Sequence, residues 1–97
     1  MSPAFDGRML RITQVRLTAS VVTLKVEGRV AADWVGVLEA ECRHHTDDGR
    51  DVELDFTDVS MIDCDGISML RRLTRSRVGI VNAPPLIRAL LAGEECR

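Results

Sequence analysis

Aromatic side chains are nearly missing from this 97-residue chain: Phe5, Trp34 and Phe56 stand alone and there is no tyrosine. That removes the stacking platforms on which readers of single-stranded nucleic acid depend. Basic charge is not in excess either. Thirteen Lys and Arg face fifteen Asp and Glu, for a formal net charge of -2, which argues against a protein that binds by neutralising phosphates. Lysine itself occurs once, at Lys25. The apolar runs are too short to span a bilayer, and no signal-peptide pattern is expected ahead of residue 9. Cys42, Cys64 and Cys96 are odd in number and unpatterned, so reduced thiols in a bacterial-type cytoplasm are expected. No cofactor is expected.

What is present is an apolar fraction of 45%, sufficient for one small globular core. The chain reads as a single domain over 1–97 with an ordered core of about 9–92, and without internal repeat or linker. Residues 1–8, with Pro3 and Gly7, show no sustained period and read as a loose lead-in. Leu10 and Ile12 alternate with Arg11 and Thr13, and Val15 and Leu17 continue out of phase, as in a strand irregular near Gln14. After a turn at Thr18-Ala19-Ser20, Val22, Leu24 and Val26 alternate with Thr23, Lys25 and Glu27 until Gly28. These two strands are expected to form an antiparallel hairpin.

From Ala31 to about Arg43 the pattern is helical, with Trp34, Val37, Leu38 and Cys42 near one face and Asp33 at its cap or in its first turn. Thr46-Asp47-Asp48-Gly49 is turn chemistry. The stretch Val52–Leu73 then organises the rest. Val52, Leu54 and Phe56 alternate with Glu53 and Asp55. Val59, Met61 and Ile62 follow, and then the acidic corner Asp63-Cys64-Asp65-Gly66. Beyond Gly66, Ile67, Leu70 and Leu73 recur at helical spacing. The corner thus lies at a helix N-terminus, where main-chain N–H groups lack internal partners and the dipole is positive. Arg71, Arg72, Arg75 and Arg77 crowd the other end. Val78, Ile80 and Val81 form a short buried strand, Asn82-Ala83-Pro84-Pro85 breaks it, and Leu86 to Leu91 forms a last helix with proline in its first turn. The order β-β-α-β-α-β-α implies an α/β sandwich. Its sheet is mostly parallel, with right-handed crossovers and one antiparallel strand from the opening hairpin.

The corner admits several readings. In the simplest, Asp63 and Asp65 cap and charge the helix start while Cys64 packs as a small residue. A second follows from a resemblance of strand-Asp-x-Asp-Gly to the first motif of haloacid-dehalogenase-type phosphatases, which implies Asp63 as nucleophile and Asp65 as proton donor. Only 31 residues follow Gly66, with no lysine among them, too few to supply the cationic and metal-binding complement of phosphoryl transfer. The thiol of Cys64 could also be reactive, lowered in pKa by the helix terminus and opposed by Asp63 and Asp65. Cys42, His44 and His45 are better read as a solvated helix end than as metal ligands.

A broader resemblance covers nearly the whole chain. LKVEGRV, the helix through Trp34 and Leu38, VELDFTDVSMID, the corner with Gly66, and IVNAPPLIRALL are together similar to a STAS domain, the family of bacterial anti-sigma-factor antagonists and related modules. The resemblance implies a STAS-like α/β sandwich and a non-catalytic, cytoplasmic role in protein–protein regulation of transcription. The partner would be an anti-sigma factor of the serine-kinase type. An alternative partner is a membrane transporter of the ABC lipid-transport type, with this chain as its accessory subunit. Phosphorylatable members carry Ser or Thr directly after the motif's Asp, and here that position is Cys64. Ser60 and Ser68 do not match it, and Ala31 stands where an acidic residue is often found. The partner-binding residues so implied are Gly28, Arg29, Val30, Ala31 and Asp33 in one loop, and Asp63, Cys64, Asp65, Gly66 and Ser68 at the corner.

Overall fold

The computed structural model describes residues 2–6 and 10–93. Strands β1 (Ser2–Asp6), β2 (Leu10–Leu17) and β3 (Val21–Val30) precede helix α1 (Trp34–Asp47). Then β4 (Asp51–Ile62), α2 (Cys64–Thr74), β5 (Val78–Val81) and α3 (Pro85–Ala92) alternate. The strands lie in chain order β1-β2-β3-β4-β5 in one sheet. β1/β2 and β2/β3 are antiparallel, whereas β3/β4 and β4/β5 are parallel and linked through α1 and α2.

Two features of this sheet correct the sequence reading. Residues 2–6 form a strand where a loose lead-in was expected, and the antiparallel part therefore holds two pairs. The segment SPAFD has no alternation of its own, and its strand conformation comes from pairing with β2. The expected irregularity near Gln14 is present as a shift of register between Gln14 and Arg16.

The core lies on one face of the sheet. Val22, Leu24 and Val26 on β3 and Val52, Leu54 and Phe56 on β4 are buried. The residues between them carry the polar groups of the opposite face, where Lys25 meets Asp58 at 3.0 Å. α2 touches both α1 and α3, so the helices form one layer over the apolar face. Leu38 and Cys42 of α1, Ile67, Met69, Leu70 and Leu73 of α2, and Ile87 of α3 fill it. This two-layer arrangement is the expected sandwich.

Helix boundaries differ from the expected ones at α1, which starts three residues later and runs to Asp47. Asp33 occupies its N-cap but makes no side-chain cap hydrogen bond. The extra C-terminal turn buries His45 to 6% exposure, with Nε2 lying 3.3 Å from Glu41 Oε1. The solvated helix end expected there holds only for His44, which is exposed. In β5, Val78 is buried but Ile80 and Val81 are only half-buried, because this strand lies at the sheet's edge. Asn82, at φ 57, turns the chain out of it, and Pro85 opens α3 as expected.

Candidate functional site

β4 delivers the chain to Asp63 in extended conformation, and α2 begins at the next residue. Asp63 is the N-cap: its Oδ1 accepts from the Gly66 N–H at 2.8 Å. The second carboxylate oxygen, Oδ2, accepts from the main-chain N–H of Ala32, also at 2.8 Å. The Asp63 N–H in turn donates to the Val30 carbonyl at 3.2 Å. One residue thus joins the end of β3, the loop after it and the start of α2.

Glycine at position 66 is required by the same close approach. A Cβ there would lie 2.6 Å from the Val30 carbonyl oxygen and 2.9 Å from Ile62 Cγ2, distances that side chains do not adopt. Ala32 takes a left-handed backbone, φ 53, which costs a non-glycine residue on the order of 1–2 kcal/mol. Its hydrogen bond to Asp63 compensates for that conformation. Gly28, at φ 100, turns β3 locally, and its carbonyl accepts from Ser60 Oγ at 3.1 Å.

The ten residues expected to face a partner therefore divide. Arg29, Asp33, Cys64, Asp65 and Ser68 are exposed, whereas Gly28, Ala31 and Asp63 are half-buried. Val30 and Gly66 are buried and act as the packing contact beneath the surface. Asp63 holds main-chain amides with both oxygens, so its carboxylate works within the fold. Two exposed residues join this surface that sequence reasoning did not select. Ala32 is exposed beside Asp33, and Met61, an apolar side chain at 40% exposure, is the register partner of Arg29. The sequence does not mark Met61 as displayed, because Val59 has the same phase and is buried; the register shift between Gly28 and Arg29 turns Met61 outward.

Asp65 lies in the first turn of α2, where a negative charge meets the positive end of the helix dipole. Cys64 is disulfide-bonded. This corrects the expectation of reduced thiols, and a reactive thiolate at this position is absent in this state. Cys42 is free and buried, and burial pushes its thiol up to about 12.

Three of the four arginines between positions 71 and 77 are engaged locally. Arg71 reaches the carbonyls of Leu91 and Gly93 at the end of α3. Arg72 meets Glu39 of α1 at 3.4 Å and Arg77 meets Asp51 at 2.8 Å. Among the described residues, no group of three or more His, Cys, Asp or Glu side chains could hold a metal ion, and no helix is long and apolar enough to cross a membrane.

A family model described as "Mlab, STAS domain" matches residues 13–93. Among solved structures, the anti-sigma factor antagonist SpoIIAA in its unphosphorylated form superposes with a TM-score of 0.66 at 17% sequence identity. The superposition covers 84% of this chain and 77% of that one. At that identity the likeness concerns the fold. No curated protein matches the chain.

Proposed function

The chain belongs to the STAS domain family, and on that premise we propose that it is a non-catalytic regulatory module that docks to another protein. Its docking surface is the loop from Gly28 to Asp33, the corner from Asp63 to Gly66 and the exposed side of α2 at Ser68. The observation that carries this reading is the double hydrogen bond of Asp63, to Ala32 and Gly66. It holds two segments 31 residues apart as one rigid patch, with Arg29, Asp33, Asp65 and Met61 displayed around it. Preorganisation of this kind lowers the ordering cost of association. The partner on this reading is an anti-sigma factor of the serine-kinase type, and the setting is the bacterial cytoplasm.

The same bonds weigh against phosphatase chemistry. A carboxylate that already accepts two main-chain amides is poorly placed to attack phosphorus. Lys25, which would have to supply a cation, lies on β3 in an ion pair with Asp58.

A second reading is favoured by one feature of the corner. Position 64 offers a disulfide-bonded sulfur instead of a hydroxyl, so the phosphoserine switch of the family's phosphorylatable members lacks its acceptor. A module without that switch suits constitutive assembly, as an accessory subunit of a transporter of the ABC lipid-transport type. Affinity purification from the native host, with bound proteins identified by mass spectrometry, separates the two. A kinase-like anti-sigma factor supports the first reading, and a permease with its ATPase supports the second. Capture of either that survives Arg29→Ala, Met61→Ala and Asp65→Ala in one folded variant would place the docking surface elsewhere.

A further inference from the structure

Cys64 gives the corner a second covalent state. It is the first residue of α2, exposed between the cap residue Asp63 and the exposed carboxylate of Asp65, and it is disulfide-bonded. In that state its side chain ends in another cysteine residue instead of a thiol. Disulfide geometry holds the two Cα atoms about 4.4–6.8 Å apart, a separation comparable to that of neighbours on a helix surface. The attached residue therefore covers part of the corner, which displays Asp65 next to Cys64 and Ser68 one turn further along α2.

The frame of the corner does not use that bond. Asp63 accepts from Gly66 and Ala32 at 2.8 Å each, its own N–H donates to the Val30 carbonyl, and Gly66 packs on the same carbonyl. Breaking the disulfide leaves these contacts in place and changes only what position 64 displays. Cys42 stays out of the exchange, because it is buried and its thiol is pushed up to about 12. The bond at Cys64 is also of the labile kind. A reductant reaches an exposed sulfur, and exposed disulfides are reduced more readily than structural ones. A thiolate released at a helix N-terminus is favoured by the dipole, with Asp65 opposing. In a reducing cytoplasm, the disulfides that do form are transient and regulatory. That setting and the docking surface belong to the proposed function, on which this inference rests.

We propose that the Cys64 disulfide is a redox switch of the docking surface: oxidised, it covers the corner and weakens partner binding, and reduced, it opens the corner. In the reducing direction a thiolate of a dithiol attacks the sulfur bonded to Cys64. A new S–S bond forms to the reductant while the old one breaks, and its electron pair leaves on Cys64 Sγ, which takes a proton from water. The reductant's second thiolate then closes its own disulfide and expels the other cysteine as a thiolate, which is protonated in turn. Two electrons pass from the dithiol to the chain. Glutathione disulfide, as oxidant, runs the exchange in reverse and is itself reduced to glutathione.

Lability is tested on the purified chain alone. After equilibration with glutathione and glutathione disulfide at their cytoplasmic concentrations and ratio, alkylation in denaturant and mass measurement should find both sulfurs of the bond alkylated in most chains. A bond that survives this buffer is structural and overturns the proposal. Docking is tested by affinity capture from the native host with the chain reduced by dithiothreitol or oxidised by glutathione disulfide, followed by calorimetry with the captured partner. The reduced wild type is expected to bind at least about tenfold more tightly than the oxidised, and Cys64→Ser with the same affinity in both buffers. Equal affinity of the two wild-type states, tighter binding by the oxidised state, or a redox dependence that persists in Cys64→Ser overturns the switch alone. A chain that captures no protein in either state overturns the docking reading and the switch with it.

Discussion

Asp63 accepts from Gly66 through one oxygen and from Ala32 through the other, so a single carboxylate serves helix capping and loop closure together. Loss of a helix cap costs about 1 kcal/mol, and loss of a hydrogen bond to a charged group about 1.5–3 kcal/mol. Asp63→Ala is therefore expected to lose about 2–4 kcal/mol of stability in urea unfolding, and Asp63→Asn, which keeps one acceptor oxygen, less. A loss below about 0.5 kcal/mol for Asp63→Ala would contradict the double role. Cys42 makes a prediction about pH. Burial raises its thiol from 9.0 to about 12, so the folded chain keeps a proton that the unfolded chain releases. Its contribution is complete below pH 9 and declines as pH climbs from there towards 12. The urea midpoint should fall between pH 8 and pH 10 more steeply in the wild type than in Cys42→Ala. Parallel pH profiles would contradict this.

At the scale of elements, the placement of α2 depends on how closely its first turn approaches β3. The Val30 carbonyl lies 2.6 Å from where a Cβ on Gly66 would be, and a main-chain oxygen in a sheet cannot swing away as a side chain can. Gly66→Ala is expected to cost about 1–3 kcal/mol through this overpacking. It should also lengthen the Ala32–Asp63 hydrogen bond, because the helix must move off the loop. Faster amide exchange at Ala32 in the variant would report that coupling. Wild-type stability with unchanged exchange would show that α2 has more room than the geometry gives it. Elsewhere the elements brace each other by charge: Glu39 of α1 holds Arg43 on its own helix and Arg72 of α2. Arg43 and then Arg72 keep its carboxyl below the usual range. Both pairs are exposed on the arginine side, so their contribution to stability is small.

For the whole molecule the question is which exposed groups act on a partner and which only on the fold. Asp65 separates the two. As a charge in the first turn of α2 it contributes a few tenths to about 1 kcal/mol of stability. If it also faces a partner's cation, Asp65→Ala should lower partner affinity well beyond that loss, and more steeply at low salt, where charge pairing is less screened. Affinity unchanged in Asp65→Ala, measured by calorimetry with the partner captured from the host, would restrict Asp65 to the helix. Phosphorylation offers a second test at this scale. A kinase-type partner should leave the corner of the wild type unmodified, because position 64 bears sulfur, and Cys64→Ser should acquire phosphate there. Mass mapping that found phosphate on Ser68 of the wild type would instead move the acceptor into α2.

Much of this architecture is a local property of the chain and was legible without coordinates. The alternation at Val22, Leu24 and Val26, and again at Val52, Leu54 and Phe56, specifies half-buried strands, because side chains leave a strand with a period of two. The spacing of Ile67, Leu70 and Leu73 after Asp63 specifies a capped helix for an equally local reason. The capping role of Asp63 was among the readings of the corner. Its bond to Ala32 was not, since nothing within three residues of either position refers to the other. β1 was missed because SPAFD has no period and is a strand only by pairing with β2. His45 was read as solvated because its burial arises from packing of the last turn of α1, and Cys64 as a thiol because the spacing of the three cysteines marks no pair. The sequence by itself determined the sheet-forming and helix-forming segments and the acidic corner. Tertiary structure alone decided which corner residues are internal and which are displayed, since that depends on contacts between segments far apart in the chain.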